Sequence, residues 1–405
     1  MSVPKLRFKE FDESWSQVIL DDLAEVERGK FSVRPRNDPR YFGGKMPFVQ
    51  TGDVTGSDVY LKGFSQTLNK DGIKVSKVFP EDTILITIAA NIGDTTITQY
   101  PVACPDSVVA IQPKKELTNT IFLKNIIDLQ KDFLDSQATQ NAQKNINLQV
   151  LKPLELIVPS LKEQTKIASF LSAVDEKISQ LAQKHELLSQ YKQGMMQKLF
   201  NQQIRFKADD GSEFGEWVES KITDVADYVD YRGKTPKKVE DGILLVTAKN
   251  IRFGYIDYSV SQEYICSDDF DEVMRRGRAE IGDVLITTEA PLGNVASVDR
   301  ENIALAQRVI KYRGKKGILN NEFLKQKFLS EEFQSLISSK ATGGTVQGIK
   351  GSTLHNLEIH IPEDIEEQTK IANFLLGIDQ KIEVVVQQIE QAKLWKKGLL
   401  QQMFV

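Results

Sequence analysis

Few residues of this chain have the type and spacing that catalysis needs. Its three histidines, His185, His355 and His360, and its two cysteines, Cys104 and Cys266, are scattered and offer no zinc-ligand spacing, so no metal site is expected. The cysteines are also too few for a disulfide framework. Pro105-Asp106 could open a nuclease-like carboxylate motif, but no acidic-x-Lys pair follows at the usual distance. Asp175-x-Lys177 and Asp379-x-Lys381 are one motif written twice, and they read as ion pairs at helix entry turns. Gly233-Lys234-Thr235 resembles the end of a phosphate-cradling loop, yet the position that needs the upstream glycine is Tyr228. No catalytic residue is assigned.

What remains is binding chemistry. Phosphates are held by Lys, Arg, backbone N–H groups and small polar side chains, whereas base edges are read by Arg, Lys, Asn and Gln at loop tips. Two clusters in the first half fit this description for double-stranded DNA: Arg28, Lys30, Arg34, Arg36, Arg40 and Lys45, then Gln140, Asn141, Gln143, Lys144 and Asn145. Three in the second half do so: Arg232, Lys234, Lys237 and Lys238; Arg275, Arg276 and Arg278; and Thr342, Gly343, Gly344, Thr345, Gln347 and Lys350. The two glycines let backbone approach a phosphate closely. Phe31 and Tyr231 could stack on a ligand or pack in a core, and Lys311 to Lys316 could be a basic turn remote from any ligand. The formal net charge is −4, so any nucleic-acid face must be local.

An internal repeat supplies the elements that position these residues. The text from Glu163, EQTKIASFLSAVDEKI and onward, recurs from Glu367 as EQTKIANFLLGIDQKI without a gap, 204 residues later. Over 38 positions 17 are identical, far above chance, so the chain is a duplication. Fainter echoes join the rest: Leu6 to Lys9 with Ile204 to Lys207, Trp15 with Trp217, and Arg28-Gly29-Lys30 with Arg232-Gly233-Lys234. The expected domains are heads at 1–158 and 201–361 and repeated helices at 159–200 and 362–405. Within the heads, β-rich runs at Thr83 to Ile88, Ile243 to Thr247 and Asp283 to Thr287 and helical stretches at Thr120 to Gln137 and Asn321 to Ser339 predict α/β domains, a mixed sheet with flanking helices.

The repeated text predicts two long helices with a heptad seam. Ile167, Leu171, Val174, Ile178, Leu181 and Leu188 in one copy, with His185 in a seam position, match Ile371, Leu375, Ile378, Ile382, Val385 and Ile389 in the other. Chain connectivity favours antiparallel pairing, because a parallel pair needs a long return loop. The expected whole is two heads separated by an antiparallel coiled coil, with a pseudo-two-fold internal repeat. Apolar residues beyond the seam, Phe170, Leu187, Met196, Phe374, Leu394, Trp395 and Leu400, either pack on the heads or form docking surfaces for partners. Gly194 and Gly398 share a repeat position that could bend the helix or admit a close neighbour.

The motifs PSLKEQTKIASFLSAVDEKI and PEDIEEQTKIANFLLGIDQKI, each closing a variable head, resemble the specificity subunits of type I restriction-modification systems over the whole chain. WVESKITDVADYVDYRGKTP and ATGGTVQGIKGSTLHNLEIHIP resemble the same family, whereas the first head's ERGKF lacks the Thr-Pro and its SQATQNAQKNINLQVLKPLELIVP lacks the Gly-Gly. The resemblance implies two target-recognition domains that each read half of an asymmetric, bipartite DNA site. It implies helices that set the unread spacer and dock two methyltransferase subunits, and restriction-translocase subunits that join through the complex. No cofactor is then expected on this chain: S-adenosylmethionine, ATP and Mg²⁺ belong to the partner subunits. Consistent with a non-catalytic reader, no Asn/Asp-Pro-Pro-Tyr/Phe motif for adenine methylation occurs. The alternative is a coiled-coil tethering scaffold with two protein-binding heads and no DNA binding. The start MSVPKLRFKEF has neither the apolar core nor the cleavage site of a secretory signal, and no apolar run suits a membrane, so a cytoplasmic protein is expected.

Overall fold

The computed structural model describes residues 4–138, 144–231 and 236–404. The chain forms two compact units. Unit 1 comprises residues 1–182 and 387–405, and unit 2 residues 183–386, so each unit holds one head, part of the first long helix and part of the second.

In unit 1 a four-stranded antiparallel sheet runs in the order Ala24–Arg28, Val108–Pro113, Ile84–Thr87, Thr95–Ile97. Both of its faces are covered, which is why its central strands are nearly all apolar. Ile84 and Ile86 point into a core shared with the helix Thr120–Asp128, while Leu85, one residue out of phase, points into a second core. That second core is backed by a smaller mixed sheet ordered Gln66–Leu68, Phe42–Phe48, Val102–Ala103, Val78–Phe79. A two-stranded ribbon, Ser16–Ile19 against Glu155–Val158, closes the head where the chain enters and leaves it.

Unit 2 repeats this plan. Its main sheet is Ala226–Asp230, Val309–Gly314, Val284–Thr288, Leu292–Ser297; its smaller sheet is Lys238–Val239, Tyr264–Ile265, Ile243–Val246, Ala304–Leu305; its ribbon pairs Trp217–Lys221 with Glu358–Pro362. The same alternation sends Val284 and Ile286 to one core and Leu285 to the other. In strand register Arg28 lies opposite Val109, and the matching position opposite Ile310 is Asp230.

Each helical stretch of the heads is two helices, not one. Thr120–Asp128 and Lys131–Ser136 are separated at Leu129 and Gln130, and the Gln130 carbonyl starts the second of them by accepting from the Leu134 N–H. Asn321–Leu329 ends at Ser330, whose backbone turns extended and whose hydroxyl caps the Phe333 N–H of Glu331–Lys340.

The long helices are Leu161–Phe200 and Ile365–Met403, each about 60 Å at 1.5 Å per residue. Unit 1 combines the beginning of the first with the end of the second, and unit 2 the converse, the antiparallel pairing expected from connectivity. Ile167, Leu171, Val174, Leu181, Ile371, Leu375, Ile378 and Val385 are buried, and Ile178, Leu188, Ile382 and Ile389 are half-buried. The entry halves of the seam do more than join helices. Ile167, Leu171 and Val174 belong to the unit 1 core with Phe122, Leu399, Met403 and Phe404, and Ile371, Leu375 and Ile378 to the unit 2 core with Leu199, Phe200 and Phe323.

Candidate nucleic-acid interface

In unit 2 several loops gather at one end of the main sheet, the end marked by Asp230, Thr288, Val309 and Leu292. The Tyr231 hydroxyl donates to the Gly277 carbonyl at 2.6 Å, and Arg276 Nη1 donates to the Asp230 carbonyl at 2.8 Å. These bonds hold Arg275, Arg276 and Arg278 beside the end of the first strand. On the neighbouring strand end the Ile349 N–H donates to the Thr288 carbonyl at 3.0 Å, and Glu289 bridges Gly348. Thr342 and Gly348 exchange both backbone hydrogen bonds, closing a small exposed loop that carries Gly343, Gly344, Thr345 and Gln347, with Lys350 exposed just after it. Gly343 adopts φ +117°, and a Cβ there would strike the Val346 carbonyl at 2.2 Å, so the loop shape requires glycine; Gly344 meets nothing. Lys237 is exposed, and Lys238 sits on the smaller sheet, paired with Glu263 at 2.7 Å. Arg278 pairs with Asp271. Arg232 and Lys234 lie outside the described residues.

The same end of the unit 1 sheet is built around Asp106. Arg28 donates to its carbonyl and Arg36 to its carboxylate at 2.8 Å. Arg34 donates to the Val33 carbonyl at 2.8 Å, Arg40 grips Asp38 with contacts down to 2.6 Å, the Lys30 carbonyl accepts from Ser76, and Lys45 is exposed on Phe42–Phe48. The Ile146 N–H donates to the Ile88 carbonyl at 3.0 Å and Asn145 bridges Ala89, the counterpart of the Ile349 and Gly348 contacts. Lys144 pairs with Asp135 at 2.9 Å. Gln140, Asn141 and Gln143 lie outside the described residues. Sequence reasoning weighed Asp106 only as a nuclease carboxylate and missed its role, with Asp38 and Glu263, as an acidic partner that orients these cations; it also missed Arg308, which is exposed beside Glu289 at 3.6 Å. Asp38, two residues from Arg40, was visible locally, whereas Asp106 and Glu263 stand far from Arg36 and Lys238 in the chain.

Two aromatic residues are resolved as core. Phe31 is 4% exposed and packs against Tyr41, Phe42 and Phe48, and Tyr231 is buried. The basic stretch from Lys311 is also structural: Lys311 and Arg313 converge on buried Asp283, at 3.3 and 2.6 Å. Burial pushes the Asp283 carboxyl pKa up, but hydrogen bonds from Arg313 and the Glu280 N–H, with the two positive charges, outweigh it and hold it below the ordinary value. Burial pushes the Cys104 thiol up to about 12, leaving it unionised at neutral pH. Among the described residues no cluster of His, Cys, Asp and Glu is placed to hold a metal ion, and no helix is long and apolar enough to cross a membrane.

The duplicated motif fastens each head to its helix. Glu163 is buried and takes a bidentate ion pair from Arg7, whose guanidinium also reaches the Glu13 carbonyl; Glu367 takes the same pair from Arg205, which reaches the Gly215 carbonyl. Gln164 donates to the Leu117 and Pro159 carbonyls and accepts from Thr118 and the Asn119 N–H. Gln368 donates to the Ile318 and Pro362 carbonyls and accepts from the Asn320 N–H. Asp175 and Asp379 are not entry-turn pairs with Lys177 and Lys381. Each reaches across to the other helix, Asp175 to Lys396 at 2.6 Å and Asp379 to Lys192 at 2.7 Å.

The apolar residues beyond the seam divide into two groups. Phe170 packs edge-on against Phe8 and Trp395, and Phe374 against Phe206, while Met196 and Leu400 lie against the unit cores. Leu187, Leu394 and Trp395 stay exposed, as does Tyr191, the repeat counterpart of Trp395, which sequence reasoning passed over. Gly194 and Gly398 admit no close neighbour, since a Cβ on either would meet open space, and both helices run through them.

Comparison with known proteins assigns this architecture. The model of the type I restriction modification DNA specificity domain matches twice, at residues 12–190 and 215–394. The specificity subunit of the type I restriction enzyme MjaVIII from Methanocaldococcus jannaschii is 25% identical over 401 residues, covering 96% of this chain and 91% of the relative. That of EcoBI from Escherichia coli is 21% identical over 383 residues, covering 89% and 78%. In fold the chain is similar to the S subunit of a type I restriction-modification system from M. genitalium, with a TM-score of 0.62 at 16% identity, covering 100% of this chain and 99% of that one. A chain from a solved type I R-M system gives 0.57 at 15% identity, covering 97% and 98%. With two family domains spanning most of its length, the chain belongs to the family of type I restriction-modification specificity subunits, the non-catalytic components of those systems.

Proposed function

We propose that this chain selects the DNA site on which a type I restriction-modification complex acts. Each head reads one half of an asymmetric, bipartite duplex sequence, and the paired helices set the unread spacer between the halves. The carrying observation is that two heads of one fold are fastened by matching Glu-Gln locks to duplicated helices, while their loops differ in residue type. Matching fastening with different loops is what a reader of two unlike half-sites needs. Arg276 and the Gly343 loop serve unit 2, and Arg28 and Arg36 serve unit 1, as phosphate- and base-contacting groups.

Two methyltransferase subunits dock on the repeated helices, one on each copy, with exposed Tyr191 and Trp395 as matched aromatic anchors. Restriction-translocase subunits join through that assembly, and S-adenosylmethionine, ATP and Mg²⁺ are bound by the partners in the cytoplasm. Co-production of the chain with a cognate methyltransferase, followed by genome-wide mapping of methylated adenines, tests this. The expected result is one motif of two unlike halves around a fixed gap. A contiguous motif, or no methylation that depends on this chain, would refute the reading.

A further inference from the structure

An aromatic turn in unit 2 has no part in the roles assigned above. Residues Ile251 to Ile256 form a tight hairpin in which Ile251 and Ile256 are buried in the core, while Phe253 and Tyr255 stand out at 56% and 60% exposure. The turn is rigid. The Arg252 N–H donates to the Tyr255 carbonyl at 2.9 Å, the Gly254 N–H to the Val295 carbonyl at 2.8 Å, and Asn294 Nδ2 to the Ile251 carbonyl at 2.8 Å. Beneath it the buried Asn250 side chain accepts from Thr247 and donates to the Asp257 and Ser261 carbonyls. Gly254 takes φ +102°, which a side-chain-bearing residue rarely adopts.

Two large apolar rings held away from their own core on a pinned backbone mark a contact surface. Position and charge identify the occupant. Val295 lies three residues along its strand from Leu292, at roughly 3.3 Å per residue, from the end where the Gly343 loop and Arg276 gather. Exposed Lys249 precedes the turn, half-buried Arg252 within it faces Asp257 at 3.9 Å, and exposed Arg300 lies 3.3 Å over the ring of Tyr258, two residues after Ile256. In unit 1 the counterpart of Asn294, which holds the turn, is Asp94, and it accepts from Thr55 at 2.8 Å and pairs with Lys131 instead.

We infer that Phe253 and Tyr255 form a wedge that enters the duplex beside the half-site read by unit 2 and stacks on an opened base step. Aromatic side chains on a pinned turn near the exposed cations Lys249 and Arg300 suit this role, because each base offers a π-face and an inserted apolar ring unstacks the step it enters. The inference rests on the DNA-reading proposal above and adds to it a deformation confined to one half of the site.

The test uses the full chain in complex with its methyltransferase and a duplex carrying the mapped site, with 2-aminopurine placed in turn along each half. The wild-type complex should raise 2-aminopurine fluorescence at one step of a single half-site. Phe253→Ala with Tyr255→Ala should abolish that rise and weaken binding about 10- to 100-fold, leaving the slope of affinity against salt unchanged because no charge is lost. Both rings are surface groups, so the doubly substituted chain should keep its melting temperature. Unchanged affinity and fluorescence in that variant would overturn the wedge while sparing the DNA-reading proposal. Loss of methyltransferase from the variant complex would overturn it in favour of a protein contact. Failure of the wild-type complex to bind any duplex in a salt-sensitive way would sink both.

Discussion

The residues that organise this protein are carboxylates more than the cations that a search for DNA contacts emphasises. Glu163 and Glu367 are buried, and each is tolerable only because an arginine fork neutralises it. Arg205→Met should therefore cost about 3 kcal/mol in chemical denaturation, and adding Glu367→Gln should recover part of the loss, since the stranded charge is then gone. Asp283 supplies a pH test. Its folded pKa lies below the unfolded value, so its contribution is complete above the unfolded value and fades as pH falls through the folded one. Asp283→Asn should be less stable than wild type by a constant margin from about pH 5 to 7, narrowing only below about pH 4. A margin that shrank near neutrality would contradict this. The basic clusters were legible in sequence, but their partners were not. Asp106 lies 70 residues from Arg36 in the chain, and no local spacing rule announces a pair made between two separate loops.

At the scale of elements, the heptad steps of the repeated text report a true helical stripe, because side chains three and four residues apart share a face whatever they pack against. What they could not report is the identity of the neighbour. The entry halves of the stripe sink into the heads, and the leftover rings of Phe170 and Phe374 are met by Phe8 and Phe206 from straps that precede each head. The echo between those straps was visible; their folding back was not, since it is fixed by the distant Arg7 and Arg205 pairs. The helices carry their own cross-links. A double-mutant cycle on Asp175 and Lys396, both about one-fifth exposed, should give a coupling of about 1 kcal/mol, and the Lys192 and Asp379 pair a similar value, with charge-exchanged double variants close to wild type. Zero coupling at both sites would remove these pairs as register-setting contacts.

For the whole molecule, sequence duplication made the two-head, two-helix plan legible, and the structure adds that each unit draws on both helices. Spacer and specificity should then be separable. Inserting four residues, about 6 Å of helix, at matching places in both helices should lengthen the unread gap by roughly one to two base pairs without changing either half-site. Exchanging residues 1–158 for another head should change one half-site and keep the gap. Methylation maps of both variants check this, and an unchanged gap after insertion would exclude the helices as the spacer.

Unit 1 seats Phe404 against Trp15 and Phe122, and the Leu6 N–H donates to the Gln402 carbonyl at 2.8 Å. A ribosome makes residues 4–182 long before it reaches 399–404, so throughout synthesis of unit 2 the first head waits with its floor open. Nascent chains halted in that interval should carry an unsealed apolar surface where Leu399, Met403 and Phe404 later pack.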